Sequence, residues 1–154
     1  MRGLLRTATG PEWTALFSIP SLVSFVGILS RDIWVIWGSV KGFIASGLAE
    51  GEELDRILER LTATSCQLWV AYSEKEIIAA CVTELPTIGT RKVCNVISCG
   101  GTRMDEWLGL SLPVIEAWAK SNGCTAMRFP EIRPGWQRVL KDYHLTKINL
   151  EKAL

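Results

Sequence analysis

The chain has 154 residues, a length that suits one domain with a substantial hydrophobic core. With 48% hydrophobic and 21% charged residues it reads as globular and not as disordered. The formal net charge is +1 and basic residues are scattered, Arg91-Lys92 being the densest pair, which excludes a strongly electrostatic nucleic-acid or anionic-membrane partner.

The N-terminal residues 1–20 read as an arm: Gly3, Gly10, Pro11 and Pro20 break regular structure, while Leu4, Leu5, Trp13, Leu16 and Phe17 are apolar. Residues 21–154 read as the folded domain. Two apolar stretches, Leu16 to Leu29 and Ile33 to Leu48, fall short of the roughly 18 uninterrupted apolar residues of a membrane span. Arg6, Pro11 and Glu12 separate Met1-Arg2 from the first apolar run, so no secretory signal is expected.

Leu22 to Leu29 predicts a short strand. A helix follows from Asp32, the expected N-cap, to Leu48. Leu54, Ile57, Leu58 and Leu61 then recur at helical spacing with charges between them. After Gln67 the period changes to that of strands. Gln67–Tyr72, Ile77–Leu85 and Lys92–Ser98 form an antiparallel meander, turned at Ser73–Glu76 and Pro86–Thr90 and ended by Gly100-Gly101. A helix from Asp105 to Ser121 carries Leu108, Leu112, Ile115 and Trp118 on one stripe. Asn122-Gly123 closes it, and Pro113 predicts a kink or a later start. Cys124–Phe129 is a strand, Pro134–Tyr143 a short helix with Pro at its start, and Thr146–Leu150 a last strand.

The five cysteines, Cys66, Cys81, Cys94, Cys99 and Cys124, are odd in number and contain no CxxC. They read as buried free thiols in a reducing compartment. His144 is the sole histidine, so no zinc site is expected.

Two helices, a three-strand meander, a glycine loop, a helix, a strand, a short helix and a final strand is the element order of the GNAT (acetyltransferase-like) superfamily. The segments Ile115-Glu-Ala-Trp-Ala-Lys-Ser-Asn-Gly-Cys124 and Arg133-Pro-Gly-Trp-Gln-Arg-Val-Leu-Lys-Asp-Tyr143 resemble small GNAT-like proteins of tailed bacteriophages and prophages. The resemblance covers residues 32–150. It implies an α/β (α+β) fold: a mixed, mostly antiparallel sheet flanked by helices, here with an N-terminal arm. It also implies a loop after the third meander strand that binds the pyrophosphate of acetyl-coenzyme A through backbone N–H groups, which places Gly100, Gly101, Thr102 and Arg103 as the cofactor-binding candidates.

The sequence departs from that pattern in three places. Gly100 and Gly101 are adjacent and no Arg or Gln precedes them at the family's distance, while Asp105 and Glu106 bring negative charge to the helix start. If His144-Leu145 matches the Gly-Phe end of the family's last helix, Leu140 occupies the position of the tyrosine that protonates the departing thiolate. Glu84 is the one carboxylate on the central strands with suitable surroundings for a general base, and a solvated strand-end role is open to it equally.

Seven tryptophans are many for this length. Trp69, Trp118 and Trp136 fall at core positions. Trp34, Trp37 and Trp107, with Trp13, Leu16 and Phe17 of the arm, are candidate partner-binding residues. Two functional readings follow. One is a non-catalytic GNAT-fold virion or assembly component, in the particle or the host cytoplasm, that works by contacts with other phage structural proteins or with itself and needs no cofactor. The other is an acyl-coenzyme A N-acetyltransferase with degenerate motifs, using acetyl-coenzyme A.

Overall fold

The computed structural model describes residues 22–48, 51–129, 140–145 and 150–154, with backbone alone at 144, 145 and 150. The arm, including Trp13, Leu16 and Phe17, lies outside the described residues, as does most of the expected short helix with Trp136.

Strand β1 (Val23–Ile28) leads through one 3-10 turn, Ser30–Asp32, into helix α1 (Ile33–Gly47), and α2 (Leu54–Thr62) follows. Asp32 precedes α1 but its side chain makes no capping hydrogen bond; the 3-10 turn starts the helix instead. Then come β2 (Gln67–Ser73), β3 (Glu76–Glu84), β4 (Thr87–Ile88), β5 (Arg91–Gly101), α3 (Met104–Ser121), β6 (Ala126–Phe129), β7 (His144–Leu145) and β8 (Leu150–Ala153). The sheet order is β1-β2-β3-β5-β6-β8-β7, with β4 paired to β5. All these pairings are antiparallel except β5 with β6. This is the mixed, mostly antiparallel sheet flanked by helices that the element order implied.

Strands β2 and β3 are apolar on both faces because helices cover both. On one face Ile33, Val40 and Ile44 of α1 with Ile57 and Leu61 of α2 pack on Leu68, Val70, Ala80 and Val82. On the other, Trp107, Leu108, Ile115 and Ala119 of α3 pack on Trp69, Cys81, Cys94 and Met127. Strand alternation assigns these sets. Trp69 anchors the second face: it stacks on Phe25 at 5.7 Å, meets Trp118 edge-on at 5.1 Å, and donates its indole N–H to Thr83 Oγ1 at 3.0 Å.

Three expectations need correction. Strand β5 runs through Gly100 and Gly101 instead of ending before them. Helix α3 starts at Met104 and continues across Pro113, so the proline neither ends nor starts it; its first-turn anchor is Trp107, whose indole N–H donates to Thr102 O at 2.7 Å. The last strand pairing uses His144–Leu145 and Leu150–Ala153, so His144 lies in a strand and not at a helix end.

Candidate functional site

Two features of β5 shape the region ahead of α3. The β3–β5 register shifts between Val82 and Thr83: Val82 faces Ser98 and Thr83 faces Val96, leaving Ile97 as the extra, bulged residue. The parallel β5–β6 ladder ends at Asn95↔Arg128, while β5 runs on to Gly101. Among the described residues nothing pairs with β5 on that side beyond Asn95.

The glycines at the end of β5 are explained by packing. A Cβ on Gly100 would lie 2.4 Å from Phe43 O, and one on Gly101 would lie 2.4 Å from the Ala79 Cβ. Helix α1 presses onto the strand here, helped by Gly47, and Ser98 Oγ donates to Ile44 O at 2.8 Å. A groove of about 400 Å³ runs between the Gly38, Gly42 and Ser46 side of α1 and Gly101-Thr102.

The loop that follows satisfies much of its own polarity. Thr102 N–H donates to Ile78 O at 2.8 Å, and its hydroxyl reaches the same oxygen at 3.3 Å. Arg103 takes a left-handed conformation, φ 56°, at the N-cap of α3. Its guanidinium grips Glu106 with two bonds, Nε to Oε2 at 2.5 Å and Nη2 to Oε1 at 2.7 Å. That hydrogen bond holds the Glu106 carboxyl below its usual range. The one cation of the Gly100–Arg103 loop is therefore neutralised, and Asp105 and Glu106 occupy the first helical turn, where a phosphate would compete with them.

The acid–base candidates are engaged too. Glu84 Oε1 is ion-paired with Arg60 of α2, and Oε2 accepts from Asn95 Nδ2 at 3.1 Å. Leu140 is buried. Tyr143 donates its hydroxyl to Glu116 Oε2 at 2.8 Å, and Lys152 Nζ lies 2.9 Å from Glu116 Oε1. Burial, then the Glu116 bond, push the Tyr143 phenol well above its usual range, so it is held on the α3 side as a structural donor.

A polar row unforeseen as a unit crosses the sheet where the ladder ends. Glu84, Asn95, Arg128 and Glu151 are successive register partners on β3, β5, β6 and β8. Asn95 Oδ1 is buried without a hydrogen-bond partner, and the buried Arg128 Nε makes no hydrogen bond but is ion-paired with Glu151 Oε1 at 3.4 Å. A sequence shows these residues singly; only strand register joins them. Among the described residues no group of three His, Cys, Asp or Glu could hold a metal ion. No helix among them is long and apolar enough to cross a membrane.

Of the tryptophans proposed for partner binding, Trp34 is 66% exposed beside Val35 at 82%, near the exposed Leu29. Trp37 is half-buried on the α1–α2 core. Trp107 is 1% exposed and is removed from that set: it is a core residue, bonded through its indole N–H.

Similar solved structures are acetyltransferases. A GNAT family acetyltransferase from Brucella melitensis in complex with acetyl-CoA superposes with a TM-score of 0.61 at 9% identity, over 86% of this chain and 88% of that one. This chain has the GNAT fold. A probable acetyltransferase from Staphylococcus epidermidis also gives 0.61, at 12% identity over 86% and 99% of the two chains. A GNAT family acetyltransferase from Elizabethkingia anophelis with acetyl-CoA bound gives 0.60, at 12% identity over 86% and 98%. No protein-family model and no curated protein sequence matches the chain. Identities this low carry the fold and not the reaction.

Proposed function

We propose that this GNAT-fold protein acts through protein contacts and not through acyl transfer, as a component of a tailed-phage particle or its assembly. The observation that carries the first half is the closure of Arg103 onto Glu106 across the loop where a pyrophosphate would bind. An anion there would meet Arg103 already paired with Glu106, and would face the carboxylates of Asp105 and Glu106. Leu140 in place of an acid, and Glu84 and Tyr143 already bonded, point the same way. The phage assignment rests on the resemblance of the segments around Trp118 and Trp136. The exposed Trp34 and Val35 supply an apolar contact surface for a protein partner.

The test is a thermal-shift titration with acetyl-coenzyme A. This reading expects an unchanged Tm at millimolar ligand; a saturable rise of several degrees overturns it. For the assembly role, deletion of residues 1–20 is expected to leave the domain folded and abolish incorporation into the particle, and normal incorporation sinks that role for the arm.

The fold shared with acetyltransferases favours a second reading, an acetyl-coenzyme A-dependent N-acetyltransferase. Acetyl-coenzyme A is bound in two of the three similar structures named above. Such an enzyme would rely on holding amine and thioester together, with little help from a side-chain acid.

A further inference from the structure

Cys81 of β3 and Cys99 of β5 are direct register partners, and both face the core beneath α3. Their Sγ atoms are 3.1 Å apart, and the side chains are 1% and 7% exposed. Opposed residues of an antiparallel pair have Cα atoms about 4.5–5.5 Å apart, inside the roughly 4.4–6.8 Å span that disulfides accept. A covalent bond here therefore asks little of the backbone.

We propose that Cys81 and Cys99 form an oxidative modification site, closing to a cross-strand disulfide under a hydroperoxide oxidant. Cys99, the more exposed of the two, reacts first. Its thiolate sulfur attacks one peroxide oxygen, the O–O bond breaks, and Cys99 becomes a sulfenic acid as the other oxygen leaves as water. The Cys81 sulfur then attacks the Cys99 sulfur, the S–O bond breaks, and a second water leaves. Overall two thiols lose two electrons and two protons, and one hydroperoxide is reduced to two molecules of water (or water and an alcohol).

Burial slows both steps. The hydrogen bond to Cys99 and burial hold the Cys81 thiol well above its ordinary range, which favours its protonated form. The reaction accordingly follows local opening of the sheet and is slow beside that of an exposed sensor cysteine. The product staples β3 to β5 directly before Gly100-Gly101, beside the Ile97 bulge, and closes a ring between positions 81 and 99 that restricts the unfolded chain. The inference does not depend on whether the chain transfers acyl groups.

The test treats the full, reduced chain with hydrogen peroxide under native conditions, removes the peroxide, alkylates in denaturant and maps the peptides. All five cysteines start free. The expected result is the loss of two thiols, one cross-linked peptide joining Cys81 to Cys99, a Tm higher by several degrees, and full reversal by dithiothreitol. Cys81→Ser and Cys99→Ser should each abolish the cross-link. Five thiols remaining after prolonged treatment, a cross-link between Cys94 and Cys124 instead, or oxidation of Cys81 and Cys99 only to sulfinic and sulfonic acids would each overturn the proposal. The wild-type measurement decides the matter even where a serine variant fails to fold.

Discussion

Helix α1 carries three glycines whose surroundings differ enough to reverse the effect of one substitution. At Gly47 an added Cβ would lie 2.7 Å from the Cys99 nitrogen, 2.7 Å from Ser98 Oγ and 2.8 Å from the Cys99 carbonyl carbon. Two of those atoms are sheet backbone and cannot step aside, so the helix end must lift from β5. Overpacking of this kind costs about 1–3 kcal/mol. Lifting the helix also threatens the Ser98 to Ile44 hydrogen bond, worth about 1 kcal/mol. The gain in helix propensity from glycine to alanine is at most about 1 kcal/mol, and less in a last turn. Gly47→Ala is therefore expected to destabilise by about 1–3 kcal/mol. Gly38 and Gly42 have nothing within 4 Å of the added Cβ. There only propensity acts, and alanine should stabilise by about 0.5–1 kcal/mol. Urea unfolding of the three variants, with unchanged m values, gives the comparison. A Gly47→Ala variant as stable as Gly38→Ala would refute the close approach of α1 to β5, and with it the explanation of the β5 glycines as packing residues.

Thr83→Val keeps the shape of the side chain and strands the buried Trp69 indole N–H, for an expected loss of about 1–3 kcal/mol by urea unfolding. A neutral result would mean that the indole finds another acceptor. Stability should also fall in alkali. Burial pushes the Cys66 thiol up to about 11 and the Cys94 thiol up to about 12, and lifts Tyr143 further. Unfolded thiols ionise near 8.5 and tyrosine near 10, so these groups favour the fold fully below those values and lose that contribution as pH rises through the folded ones. Each adds a slope of about 1.4 kcal/mol per pH unit while only the unfolded form is ionised. Denaturant melts in reductant between pH 8 and 11 should show the decline, and a flat profile contradicts the burial of these groups.

Much of the fold was legible because the period of the sequence changes clearly. Leu54, Ile57, Leu58 and Leu61 announce α2, and the apolar runs 67–72 and 77–85 announce two strands of the meander. What escaped was long-range. Gly100-Gly101 looked like a stop, because glycine in isolation reads as a breaker; that α1 crowds Gly100 and Ala79 crowds Gly101 is known only from the packing. Trp107, in the first turn of α3, looked like a surface aromatic until the Thr102 carbonyl appeared as its partner. Glu84 showed a carboxylate at a strand end, and its two partners, Arg60 and Asn95, come from other elements. The loop's acidity was readable directly, but the left-handed backbone at Arg103 and its ion pair with Glu106 appear only in the structure.

If this GNAT fold serves as a scaffold, as proposed, acetyl-coenzyme A should not bind at the Gly100–Arg103 loop. Titration calorimetry of the purified chain with acetyl-coenzyme A at millimolar concentration tests it most directly. No saturable heat is expected. A one-site isotherm in the micromolar range, lost on altering Gly101 or Thr102, would contradict it.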